Sequence, residues 1–181
     1  MISHRIDYAG LTTPIGKLLL ADTGNGLCAV IFPGPGGRAD FQALDTCLRK
    51  RFGDFTLAGC TTGSRLPGAL SYLIKYFENP AAAGLYQGRL DPGGTAFQQA
   101  VWSCIRDIRP GQSTNYGEIA RHLGRTGAGR AVGAACGANP LPIIVPCHRV
   151  IGAGGSLTGF GGGLELKKHL LQLEGWQYRE G

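Results

Sequence analysis

The chain has 181 residues, 43% of them hydrophobic and 17% charged, which is enough to bury a real core as one domain or two small ones. Its 31 glycines follow no three-residue period, excluding a collagen-like rod, and no run approaches the roughly 18 apolar residues of a membrane span. The net charge of +6 fits a polyanionic partner, and the excess lies in the second half: nine Lys/Arg against seven Asp/Glu in residues 1–92, nine against five in 93–181.

The first half reads as mixed α/β. Apolar runs at 15–21 and 27–32 are joined by Asp22-Thr23-Gly24-Asn25-Gly26, which predicts a β-hairpin. Pro33-Gly34-Pro35-Gly36-Gly37 breaks the pattern. Asp40 then caps a predicted helix to about residue 51, with Phe41, Leu44 and Leu48 on one face. A second helix is predicted over 67–77, stopped by Asn79-Pro80. Nothing here has the residue types of a site, so this half reads as scaffold. Asp91-Pro92-Gly93-Gly94 marks a domain edge, giving domains 1–91 and 92–181.

In the second half Thr95 is the predicted N-cap of a helix to Arg106, with Phe97, Val101, Trp102, Cys104 and Ile105 inward. A short helix over 116–123 is broken by Gly124, and another follows over 127–137. That helix has almost no side chains apart from Arg130, although glycine costs a helix about 1 kcal/mol relative to alanine. Two readings stay open: a helix-turn-helix, or simply tight helix packing. Residues 143–151 read as one extended run through Cys147, and 152–163 as a loop with seven glycines. The last helix begins at Gly163 or Leu164, with Leu166, Leu170 and Leu173 inward. Glu174 lies at its end, the unfavourable end of the helix dipole for a carboxylate, so a cationic or hydrogen-bonding partner is expected there.

Six cysteines (Cys28, Cys47, Cys60, Cys104, Cys136, Cys147) form no tight cluster, and the four histidines (His4, His122, His148, His169) show no ligand spacing. Zinc at Cys147 and His148 would need two more ligands from afar, so no metal is expected. Met1-Ile2-Ser3-His4-Arg5 has no apolar signal region, so the cytoplasm and free thiols are expected. In Pro146-Cys147-His148-Arg149 a thiol stands beside a base and a cation, either as an activated nucleophile or as a small buried residue. On an extended run, Cys147 and His148 would point apart and communicate through water.

The longer string is more specific. Asn139-Pro140-Leu141-Pro142-Ile143-Ile144-Val145-Pro146-Cys147-His148-Arg149-Val150-Ile151-Gly152, with Arg130-Ala131-Val132-Gly133 before it and the glycine-rich loop after it, closely resembles the O6-alkylguanine-DNA alkyltransferase family. The resemblance spans about residues 95–175. It implies an α/β (α+β) chain: a small N-terminal ribonuclease H-like α/β domain, then a helical C-terminal domain. The latter carries a winged-helix-like helix-turn-helix for DNA and the active-site cysteine.

The implied activity is that of a methylated-DNA–protein-cysteine methyltransferase, reversing DNA damage directly. The alkyl group passes irreversibly from O6 of guanine, less readily O4 of thymine, to Cys147, and the protein is spent. By resemblance His148 takes the thiol proton through a water, Glu174 holds His148, Asn139 is a hinge and Arg149 is structural. Tyr116 helps rotate the flipped nucleotide and serves guanine N3, the carbonyls of Cys147 and Val150 accept from the exocyclic amine, and the Gly161 N–H meets O6. Arg130 fills the vacated stack, with its helix in the minor groove of double-stranded DNA.

Binding is then weakly sequence-specific, by a monomer with no cofactor, membrane or obligate protein partner. Phe160 stands where many relatives have tyrosine, which implies altered substrate preference. Metal ligands that some relatives carry in the first half are not recognisable. A non-catalytic binder of alkylated DNA would lack the acceptor cysteine, and a cysteine hydrolase would leave Arg130 unexplained.

Overall fold

The computed structural model describes residues 4–60 and 66–176, a mixed α/β chain. It divides into two compact units, one formed by residues up to Glu78 together with Tyr86–Gly93, the other by Asn79–Leu85 and the residues from Gly94 on.

The first unit is a four-stranded sheet in the order β3-β2-β1-β4, from β1 (His4–Thr13), β2 (Gly16–Asp22), β3 (Leu27–Ile31) and β4 (Phe55–Gly59). β2 is antiparallel to both neighbours, pairing Tyr8 with Ala21 and Leu20 with Val30, while β4 runs parallel to β1 with Ile6 opposite Leu57. The expected hairpin forms because Asp22 Oδ1 accepts the Gly24 N–H at 2.6 Å and Gly24 adopts φ 84° at no steric cost. Strands β1 and β4 carry no legible alternation, and their parallel pairing is a long-range contact.

α1 (Phe41–Phe52) starts at Asp40, whose carboxylate accepts the Ala43 N–H at 2.8 Å, as its position predicted. Leu44 and Leu48 are buried against Ile6, Leu19, Ala21 and Ala29, each burial stabilising by about 2 kcal/mol. Phe41 is instead 49% exposed, edge-on to Tyr8. α2 (Leu66–Glu78) packs against β1 and β2, which explains why Leu18–Ala21 are all buried: the sheet is covered on both faces. Asp91, at the expected domain edge, is tied into the first unit. Arg51 donates to both its backbone and side-chain oxygens, and Thr23 donates to its other carboxylate oxygen at 2.6 Å.

The second unit contains α3 (Pro80–Ala83), α4 (Ala96–Arg106), α5 (Tyr116–His122), α6 (Gly129–Gly137) and α7 (Leu164–Leu173), with a short parallel pair, β5 (Thr114–Asn115) and β6 (Val150–Ile151). Thr95 caps α4 in a reciprocal box with Gln98, and Asn115 caps α5 likewise with Glu118. α4 and α5 both pack on α6. α6 begins two residues later than expected because Gly127, at φ 87°, still belongs to the turn. Its Val132, Ala135 and Cys136 are buried, a Cβ at Gly133 would meet the Tyr116 ring at 3.8 Å, and Arg130, Ala131, Ala134 and Gly137 form an exposed face. No helix among the described residues is long and apolar enough to cross a membrane.

The expected extended run is overturned over 143–149 and holds only at Val150–Ile151, in β6. The chain turns at 142–144, with Val145 N–H bonded to Leu141 O at 2.8 Å, and Cys147–Arg149 form a single 3-10 turn. Buried Ile143 takes φ 71°, a conformation that a β-branched residue rarely adopts. The Asn139 side chain enforces this path. Its Oδ1 accepts the Leu141 N–H at 3.0 Å and its Nδ2 donates to Val145 O at 2.8 Å, satisfying two loop groups that no strand partner serves.

Candidate active site

The 3-10 turn begins with Cys147, 7% exposed, so its sulfur is held by backbone geometry rather than by a flexible loop. The second amide hydrogen bond of Asn139 goes to this sulfur, Nδ2 to Sγ at 3.2 Å. Burial pushes the Cys147 thiol above its ordinary pKa, while the Asn139 donor and the Lys167 ammonium pull it down. The resting group is therefore a thiol with a donor already aimed at its anion.

His148 follows on the same turn, fully buried, with Nε2 2.7 Å from Glu174 Oε1. Glu174, the C-cap of α7, has the cationic partner its position called for: Arg149 donates Nε to Oε2 at 2.9 Å and Nη2 to Oε1 at 2.7 Å. Burial acts to raise the Glu174 carboxyl, but the hydrogen bonds from His148 and Arg149 outweigh it and hold it at about 2. His148 is lowered, chiefly by burial, against the opposing pull of Glu174. Such a set can remove a proton from a buried thiol, because the imidazole rests neutral and the imidazolium would find a carboxylate waiting.

The structure thus brings Cys147, His148, Glu174 and Asn139 together. The Phe160 ring lies edge-on to His148, centroids 6.4 Å apart. Tyr116, at the start of α5, has its hydroxyl against Thr158, donating to the carbonyl at 3.4 Å and accepting from the Thr158 hydroxyl at 3.3 Å. Burial raises its pKa, so it is a neutral donor. Val150 is buried, Gly161 is exposed in the loop, and Arg130 is exposed in the first turn of α6.

Lys167 was missed by sequence reasoning. The inward face of α7 is Lys167, Leu170 and Leu171, with Leu166 and Leu173 only half-buried. The fully buried ammonium donates to Val150 O at 2.6 Å and Thr158 O at 2.8 Å, tying the glycine-rich loop to the active-site segment. Burial lowers its pKa, and the nearby Cys147 and Cys136 thiols act to raise it. Its spacing three residues before Leu170 was the available signal. Among the described residues no three His, Cys, Asp or Glu side chains form a group that could hold a metal ion.

A fold of this class, with a buried thiol, imidazole and carboxylate in one unit, has known counterparts. Residues 96–176 match the family described as 6-O-methylguanine DNA methyltransferase, DNA binding domain. The methylated-DNA–protein-cysteine methyltransferase of Methanosarcina acetivorans is 39% identical over 168 residues, covering 93% of this chain and 97% of that protein. That of Mycobacterium tuberculosis is 51% identical over 169 residues, covering 93% and 92%. The crystal structure of the Mycobacterium tuberculosis O6-methylguanine methyltransferase superposes with a TM-score of 0.73 over 93% of this chain and 92% of that one, and its counterpart in complex with DNA with 0.70 over the same shares. The chain belongs to the methylated-DNA–protein-cysteine methyltransferase family.

Proposed function

We propose that the chain repairs alkylated DNA by moving the alkyl group from O6 of guanine, less readily O4 of thymine, onto Cys147, once per molecule. The observation that carries this is buried His148, on the turn that presents Cys147 and paired with Glu174 at the end of α7, with the Asn139 amide at the sulfur. As the S–C bond forms and the C–O bond breaks, the thiol proton passes through a water to His148. Because Nε2 faces Glu174, Nδ1 is the receiving nitrogen. Asn139 stabilises the developing thiolate, and Tyr116 exchanges Thr158 for guanine N3, neutralising the leaving base. The Cys147 and Val150 carbonyls and the Gly161 N–H read the base, with Phe160 beside it. The product thioether has no nearby group that cleaves an unactivated C–S bond, so the protein is consumed.

The target base lies inside a duplex and must be flipped out. The α5–α6 pair acts as a winged-helix-like helix-turn-helix, and the exposed small residues of α6 allow it into the minor groove with Arg130 filling the gap. The complex of the mycobacterial relative with DNA supports DNA as the partner. Contacts to phosphate make binding salt-sensitive and weakly specific. Residues 1–91 serve as a ribonuclease H-like scaffold, suggested by three antiparallel strands, a helix and a fourth strand parallel to the first. Residues 92–181 carry DNA binding and transfer. The protein acts as a cytoplasmic monomer without cofactor or metal.

The test is incubation with duplex DNA containing radiolabelled O6-methylguanine. Label should move to protein up to one equivalent, and Cys147→Ala should abolish it. Repeated turnover, or binding without transfer, would overturn the proposal. Arg130→Ala should slow duplex repair at least tenfold while sparing reaction with free O6-benzylguanine; an equal fall in both removes its stack-filling role.

A further inference from the structure

We propose that Arg149 is a positioning residue of the proton relay, its two-pronged hold fixing Glu174 as a hydrogen-bond acceptor for His148 rather than a bare counter-ion. This rests on His148 acting as the base, as proposed above.

The guanidinium side chain is 1% exposed and is paired with a carboxylate whose side chain is fully buried. Nε takes Oε2 and Nη2 takes Oε1, the same oxygen that meets His148 Nε2. A third donor, Nη1, is bonded to the carbonyl of Ile108, which follows α4. Three fixed acceptors stop the plane from swivelling, so Glu174 cannot turn wholly toward the imidazole. An ammonium in place of the fork would hold one oxygen and leave the other to move.

The charges point the same way. Glu174 and Lys167 face His148 from α7, and Arg149 and Cys147 flank it on its own turn. One carboxylate is thus shared between a permanent cation and a ring that could become a second cation, with a third, Lys167, in the same field. Arg149 and Lys167 oppose protonation of the resting ring, burial opposes it further, and only Glu174 favours it. The result is a neutral imidazole that donates from Nε2 and keeps a lone pair on Nδ1. That ring accepts a proton, which an imidazolium cannot do. When the proton arrives from Cys147, Glu174 is already placed to stabilise it.

The test is Arg149→Lys in the full chain, which keeps the charge and removes the fork. The pKa of His148, followed by NMR, should rise by about one unit. The acidic limb of the rate profile with O6-benzylguanine should move up equally, slowing the reaction about tenfold below the limb and less than about threefold on the plateau. An unmoved His148 pKa with a uniform loss of rate overturns this inference and leaves the relay standing. A raised pKa with an unmoved limb overturns the relay itself, and the inference with it. Should the variant fail to fold, the wild-type chain decides. His148 must be the neutral Nε2–H tautomer at pH 7, and an imidazolium there sinks the idea.

Discussion

Cys28 and Cys147 are both buried thiols, one in each unit, and their surroundings differ in kind. Cys28 packs among Ile6, Leu19, Ala29, Leu44 and Leu48, and burial pushes it up to about 12, against a smaller downward pull from Arg51. Cys147 is buried as deeply, yet Asn139 donates to its sulfur and a buried ammonium lies in its field. The contrast extends to the units. Among the described residues the first buries one charged residue, Asp22, at the end of β2, whereas the second buries His148 and Arg149 on the turn of Cys147 and Lys167 on α7. Burial alone makes a cysteine inert. Reactivity needs donors placed before the core closes, and those donors do little for stability.

The sharpest way to break this contrast is Lys167→Met. Methionine fills the space, removes a costly buried charge and leaves two carbonyls without their donor, so the stability terms largely cancel, to within about 2 kcal/mol. Transfer should fall at least tenfold because the loop loses its tie. A large drop in melting temperature with a normal transfer rate would show that Lys167 is structural. The converse is Leu48→Ala in the first unit, expected to cost about 2–5 kcal/mol by the cavity it leaves. Its transfer rate per folded molecule should stay unchanged, as chemical denaturation and labelling of one sample would establish.

Acid should also separate the units. His148 and Glu174 both sit below their ordinary values in the folded chain, so both take up protons more readily once unfolded. Their contribution to stability is complete above about pH 6.5. It declines below that as unfolded His148 is protonated, and again from about pH 4.3, until Glu174 reaches its folded value of about 2. Glu174→Gln should remove the second decline in an acid titration of stability, and Leu48→Ala should lower the whole curve without changing its shape. The smallest effect is Thr95→Ala, which opens the cap of α4 and should cost about 1 kcal/mol in denaturant melts.

What was legible in the sequence was local. The hairpin at Asp22–Gly26 and the caps at Asp40 and Thr95 follow from side chains bonding their own neighbours within three residues. β1 and β4 were illegible because β1 carries His4, Arg5, Asp7, Thr12 and Thr13, and its partner lies some fifty residues away, His4 opposite Phe55. The residues that meet around Cys147 could be named from one string, but not their geometry. An isoleucine-rich run reads as a strand unless one knows that Asn139 folds it back through its own side chain. Lys167 was hidden because lysine normally reads as solvent-facing, and only the loop carbonyls give it a reason to be inside.

α6 is rich in glycine and weak by itself, and the indole N–H of Trp102 is bonded to its Ala135 carbonyl at 2.8 Å. The chain has two tryptophans, and this one is 4% exposed. Detachment of α6 would bring water to that ring and red-shift its emission. The molecule carries its own optical gauge, ready for stopped-flow use without any dye.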